Sequence, residues 1–395
     1  LPGWRDRRAR FASLFALLLV AALAAPAAAQ PRAMTLVDLI NVARISDPQL
    51  SPDGRQVLFV KSEADWKANK RITHIWRTNL DGSDVVQLTA GADGESSPRW
   101  SPDGRFVAFV AKREGDEEAQ IYLLPTGGGE AQRLTKHETG VSSITWSPDG
   151  RVIYFLAADP KPADQRAREK AKDDIYAFDE NYQQRHLWKV TVATKAEERI
   201  TSGDFTVAAY ELSRDGSRIA FHRAPNPLYG YADQAEVWVM DASGANALQL
   251  TRNGVGESGA SLSPDNKQVL FLADANERFE PYYNGRIFIV DAGGGPARML
   301  GHTLPGEVQR AEWSKDGTAI YVTAGLGVES QILRVDPAGG RPVPLTRGEH
   351  SIGSWHYHPG LDRFVFVVDE PSNPGEIWTL AGSGPPAKVT NLFAS

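Results

Sequence analysis

The stretch Ser101–Val110 reads SPDGRFVAFV, and near copies open at Ser51 (SPDGRQVLFV) and Ser147 (SPDGRVIYFL). Weaker forms follow as SRDGSRIAF at Ser213, SPDNKQVLF at Ser263 and SKDGTAIYV at Ser314, with a degenerate HPGLDRFVF at His358. The phrase therefore recurs seven times, at spacings of 50, 46, 66, 50, 51 and 44 residues. A period of this size marks a repeat architecture.

Each opening phrase is answered by a closing one, such as QIYLLPTGGGEAQRLT at Gln120 or EVWVMDASGANALQLT at Glu236. Four strands per unit are expected. In Pro-Asp-Gly the proline fixes φ and the glycine accepts the positive φ of a tight hairpin. The strand after the turn carries Val57, Val107, Ile153, Ile219, Val269, Ile320 and Phe364 at one position. Two residues on it carries Phe59, Phe109, Phe155, Phe221, Phe271, Val322 and Phe366. A two-residue step puts both on one face. Third strands bring Trp76, Tyr122, Trp188, Trp238, Phe288, Leu333 and Trp378, read as packing between units. A single such unit cannot bury its faces. The fold expected is all-β, a seven-bladed propeller of four-stranded antiparallel blades. Every blade comes from one continuous segment, so closure of the ring is expected to rest on contacts between blade faces.

The chain has 395 residues, no cysteine and a net charge of −6. Disulfides and thiolate chemistry are excluded, and an acidic chain is a poor match for a nucleic-acid backbone. Arg5, Arg7, Arg8 and Arg10 precede an apolar run that ends in Ala27, Ala28 and Ala29. This pattern reads as a secretory signal peptide over residues 1–29, cut near Ala29, with an uncleaved anchor as the alternative. Its removal leaves −9, no stable membrane span, and a periplasmic or secreted protein. Residues 30–46 form a lead-in and 47–395 the propeller.

Signals for chemistry are few. No G-x-S-x-G occurs, and the nearest stretch, GESGA at Gly256, precedes a strand rather than a helix. His350, His356 and His358 cluster, but no carboxylate completes a zinc pattern. No catalytic residue, metal or cofactor is assigned. The 66-residue interval places an insertion, residues 158–188, between the second and third strands of blade 3. Its first half, DQRAREKAK, reads as helix. Long loops on a rigid scaffold often carry function. Asp173, Asp174, Asp179 and Glu180 are the candidates for a peptide's amino terminus, and Arg185 for a carboxylate or carbonyl.

The SPDGR...F and IY/IW...D...G...LT pairing resembles the repeats of TolB-like propellers. With the lead-in TLVDLINVARISDPQLSPDG and the insertion ending DDIYAFDENYQQRHLW, the chain resembles the N-terminal propeller of prolyl oligopeptidase family serine peptidases, near the acylaminoacyl peptidase and dipeptidyl aminopeptidase branch. That resemblance implies a following α/β-hydrolase domain with a Ser-Asp-His triad, capped by the propeller, and short peptides as substrates. No triad residue can be carried over, so the chain by itself is expected to be inactive. The paired-glutamate phrase of the dipeptidyl peptidase branch is not found, Glu117-Glu118 and Glu197-Glu198 standing in plain turn contexts. A stand-alone TolB-like binding propeller is the alternative, and a propeller enzyme with a central metal a third.

Overall fold

The computed structural model describes residues 33–173, 175, 177, 179–382 and 384–393. The residues assigned to a signal peptide lie outside the described residues. The chain divides into two compact units, one ending at Val42 and one starting at Ala43. The described part of the first holds helix α1 (Leu36–Asn41), begun by a capping box. Thr35 Oγ1 accepts the Asp38 N–H at 3.2 Å, and Asp38 accepts the Thr35 N–H at 2.8 Å. No residue of α1 is buried.

The second unit contains seven four-stranded antiparallel sheets, each made of four consecutive strands. Their outer bounds are 44–87, 95–133, 141–199, 206–249, 257–300, 307–344 and 351–388. This is the seven-bladed propeller expected, with no strand exchanged between the first and last blades. The first blade begins at Arg44, and the long connection of blade 3 spans 159–184, with helix α2 at Ala163–Lys170. The early start escapes a reading by alternation because a β-bulge between Ser46 and Gln49 breaks the two-residue step.

The apolar positions of the second strands are all at most 2% exposed. Their partners on the third strands lie directly opposite in every blade: Phe59 with Trp76, Phe109 with Tyr122, Phe155 with Trp188 and Phe366 with Trp378 among them. Each buried cluster is shared by two neighbouring blades. Ala108, Ile121 and Leu134 of blade 2 pack with Ile153, Phe155 and Val190 of blade 3. At the seam, Ile45, Leu50, Val57 and Phe59 of blade 1 meet Val365, Val367 and Ile377 of blade 7. The seam is therefore closed by faces, as the continuous blades require.

The repeated phrase makes two kinds of contact. Within a turn, Ser101 Oγ donates to Asp103 at 2.6 Å and accepts the Phe106 N–H at 2.9 Å, while Asp103 accepts the Arg105 N–H at 3.0 Å. The serine-to-aspartate bond recurs at Ser51, Ser147, Ser213, Ser263 and Ser314. Between turns, the proline of one blade lies against the glycine of the next at three places, Pro102–Gly150, Pro148–Gly216 and Pro264–Gly317. A Cβ at Gly216 would stand 2.8 Å from Pro148 Cδ, and one at Gly317 3.3 Å from Pro264 Cδ. Those glycines also hold positive φ, so a side chain is refused on two counts.

The closing Leu-Thr phrase is a second device. Thr135 Oγ1 accepts the Ile121 N–H at 2.9 Å and donates to Gln120 Oε1 at 2.8 Å, all buried. The same N–H is captured by Thr89, Thr201, Thr251, Thr346 and Thr390. It ties the short outer strand to the start of the third. Blade 5 has Gly301 at this place and lacks the clasp.

Two consequences can be measured. The Ser101 hydroxyl and the Arg105 amide hold the Asp103 carboxyl down at about 2, and the Thr318 amide and hydroxyl do the same for Asp316. Carboxyls that ionise more readily in the folded state stabilise it fully above pH 4 and lose that effect as the pH falls toward 2. Asp103→Asn should flatten the acid limb of melting temperature against pH, read by circular dichroism between pH 2 and 5. Thr135→Val keeps the volume but strands the buried Ile121 N–H and removes one of the two donors to Gln120 Oε1. It should cost about 1–3 kcal/mol in urea unfolding.

Candidate functional site

The seven innermost strands line a central lumen, and every one carries a bulge against its neighbour. At four of these bulges the backbone enters positive φ, at Asp47, Ser97, Ser143 and Gly259. Two residues before each repeat phrase the side chain points to the axis. These positions hold Gln49, Arg99, Thr145, Glu211, Ser261, Glu312 and His356, the least uniform column of an otherwise uniform repeat.

The next residue turns into the wall. Trp100, Trp146 and Trp313 donate their indole N–H to the carbonyls of Gln49, Arg99 and Ser261 in the preceding blade, at 3.2, 3.2 and 3.3 Å. Tyr210 donates to the Ser143 carbonyl at 2.6 Å. The seam is bonded differently. There the Asp47 N–H reaches Ser354 Oγ at 3.0 Å, and the Leu50 N–H reaches His356 Nδ1 at 3.3 Å.

Within the lumen, Arg99 pairs with Asp47 at 2.8 Å, and Arg310 with Glu312 at 2.6 Å. Arg310 also lies 4.5 Å over the Trp355 ring. Glu211 faces Glu312, Arg310 and Arg214. Water reaches Glu211, yet protein surrounds it on all sides. That enclosure, with the Glu312 charge added, pushes its carboxyl up to about 8. Enclosure and the neighbouring His358, Arg310 and Arg99 push His356 down to about 3, so its Nδ1 is free to accept the Leu50 N–H at neutral pH.

A cup of about 620 Å³ occupies the end of the lumen at the repeat turns. Trp100, Trp146 and Pro102 wall it, with Arg99, Arg214 and His356 at its polar side. Arg214 stands where five of the other six phrases have proline and the blade 6 phrase has Lys315. Its guanidinium donates to the carbonyls of Trp313, Ser314 and Lys315, bridging blade 4 to blade 6 past the blade between them. Among the described residues the lumen holds carboxylates and guanidiniums, with no nucleophile and base in contact. Such groups are of the kind that pair with charged and polar ligands.

The candidates in the insertion fall elsewhere. Asp173, Asp179 and Glu180 are exposed on the connection of blade 3, and Asp174 lies outside the described residues. Arg185 donates to the Val207 carbonyl at 3.0 Å and to the Ala208 carbonyl, stapling blade 3 to blade 4. GESGA lies on the inner strand of blade 5, Glu257–Leu262, with Ser258 toward the lumen. Glu197 sits on the fourth strand of blade 3 rather than in a turn and binds His137 at 2.7 Å. His358 accepts the Leu361 N–H at 3.3 Å. Among the described residues no group of three His, Asp or Glu is placed to hold a metal ion. Nor is any helix among them long and apolar enough to cross a membrane. Sequence reading missed the lumen cluster, although the uneven column two residues before each phrase was its signal.

Residues 40–176 match the model of the TolB β-propeller domain. Dipeptidyl-peptidase 5 of Porphyromonas gingivalis is 22% identical over 347 residues, covering 79% of this chain and 49% of its own length. An acylaminoacyl peptidase structure from Pyrococcus horikoshii superposes with a TM-score of 0.65 at 17% identity, over 89% of this chain and 53% of that one. The propeller domain of the trilobed protease of Pyrococcus furiosus, described as having an open velcro topology, gives 0.62 at 15% identity, over 89% and 99%. Residues 40–176 are thus similar to the TolB β-propeller domain, and the whole of the second unit has the fold of a seven-bladed propeller. The chain is similar in sequence to dipeptidyl-peptidase 5, of which it spans about half the length, and it shares the fold of the acylaminoacyl peptidase propeller.

A carboxyl that binds its proton more tightly when folded stabilises the fold below its unfolded pKa and ceases to as the pH rises through its folded value. For Glu211 that window runs from about pH 4.5 to 8. The melting temperature of the protein should fall as the pH rises from about 4.5 to 8, and Glu211→Gln should remove part of that fall.

Proposed function

We propose that this chain is the non-catalytic, substrate-gating propeller of an exported serine peptidase that hydrolyses short peptides. The catalytic triad would reside on an α/β-hydrolase domain of a longer parent protein. The observation that carries the reading is the relation to dipeptidyl-peptidase 5 across 79% of this chain but only half of that protein. The lumen supports it. A passage lined by Arg99, Glu211, Arg310 and Glu312 suits the charged ends of short peptides and excludes folded proteins by size. Export to the periplasm is part of the proposal, on the basic and apolar N-terminal sequence.

The 395-residue chain should not react with a fluorophosphonate serine probe or cleave peptides, since a nucleophile is inert without its base and oxyanion donors. The product purified from source cells should be about twice as long, take the probe, and cleave short peptides but not denatured proteins. A source-cell product that ignores the probe would refute the reading in favour of a binding propeller.

A further inference from the structure

The cup at the repeat-turn end of the lumen, about 620 Å³, is of a size that holds a small ligand. Blades 7, 1, 2 and 3 build it, with Arg214 of blade 4 beside them. Its apolar wall is Trp100 and Trp146 with Pro52, Pro102, Pro148 and Pro359. Both indoles have committed their N–H groups, to the carbonyls of Gln49 and Arg99 at 3.2 Å each. Proline has no backbone N–H to offer. The wall therefore presents rings and carbon, a surface that suits an aromatic or aliphatic body.

The polar side of the cup is just as uniform, in donors. Arg99 makes its bonds through Nη1, to Asp47 at 2.8 Å and to the Pro98 carbonyl at 2.7 Å. Arg214 is held by the carbonyls of Trp313, Ser314 and Lys315 rather than by a carboxylate, so its charge is fixed in place before any ligand arrives. His356 is neutral at pH 7 and accepts the Leu50 N–H at Nδ1, which leaves its one proton on Nε2. Burial lowers His358 too, and its Nδ1 accepts the Leu361 N–H, with the same result. Among the described residues no aspartate or glutamate lines the cup, and Gln49 and Thr145 supply its side-chain oxygens. In a chain of net charge −6 this is a local excess of cationic and neutral N–H donors.

We propose that the cup is a binding site for a carboxylate carried on an aromatic or apolar body, with Arg99 and Arg214 receiving the carboxylate and Trp100 and Trp146 packing on the body. Two sources share this chemistry, the C-terminal end of a short peptide and a free aryl-alkanoic acid. The inference goes beyond the function proposed above. Every residue it uses belongs to this chain, so it stands or falls separately from the serine-probe result.

The test titrates the 395-residue chain near neutral pH with the dipeptide Ala-Phe, its C-terminal amide, phenylacetate and inorganic phosphate, read by calorimetry. Ala-Phe should bind, and its amide and phosphate should bind about ten-fold more weakly or not at all. Phenylacetate binding as well as Ala-Phe supports the site with a free acid as ligand, and binding of Ala-Phe alone supports it with a peptide end. Arg99→Gln should weaken Ala-Phe about ten-fold, whereas Arg55→Gln on its exposed turn should not. Thr145→Glu adds a carboxylate to the cup without removing either guanidinium; it should weaken Ala-Phe as much, and it serves where Arg99→Gln does not fold. Equal affinity for Ala-Phe and its amide, phosphate binding as tightly as Ala-Phe, no binding of either carboxylate, or full affinity in a folded Arg99→Gln or Thr145→Glu protein would overturn the proposal.

Discussion

Every blade of this protein is apolar on both faces, and that constraint governs the rest. A sheet with Phe109 or Phe155 and its partners on one side and more aliphatic side chains on the other cannot be soluble alone. It must be covered twice, and only another blade has the matching surface. The ring is the arrangement in which no blade is left with a bare face. Closure between blades 1 and 7 obeys the same rule, through Ile45, Phe59, Val365 and Ile377, without a shared strand.

What could be read from the sequence was what local chemistry decides. A hairpin that needs a positive φ declares itself by glycine, and a buried strand face declares itself by Val57 and Phe59 at a two-residue step. The seven aromatic or aliphatic partners of the third strands follow by register. The helix inside the long interval was legible from its charge and lack of β-branched residues. Other features were hidden because they depend on which blade sits beside which. Nothing near Arg214 in sequence reveals that it reaches carbonyls a hundred residues away. The threonine of Leu-Thr could be seen to recur, but not that it captures a third-strand N–H fourteen residues earlier. Arg185 likewise makes contacts that its sequence context does not reveal. Its neighbours in sequence suggested a ligand contact, whereas its neighbours in space are the backbone carbonyls of blade 4.

The lumen shows how a repeat supplies function. Identical turns and identical cores make seven equivalent positions around an axis, and the fold is indifferent to what stands at them. Gln49, Arg99, Thr145, Glu211, Ser261, Glu312 and His356 exploit that freedom. Structural uniformity in the wall permits chemical variety in the passage, and enclosure then amplifies each charge, as the opposite shifts of Glu211 and His356 record.

The guanidinium of Arg214 breaks the sevenfold equivalence. By gripping blade 6 from blade 4 it braces an arch of three sheets, which must tilt together if they tilt at all. Compliance is then displaced to the far side of the circle, where sheets meet only as pairs. A molecule squeezing through would feel one stiff jamb and one yielding one.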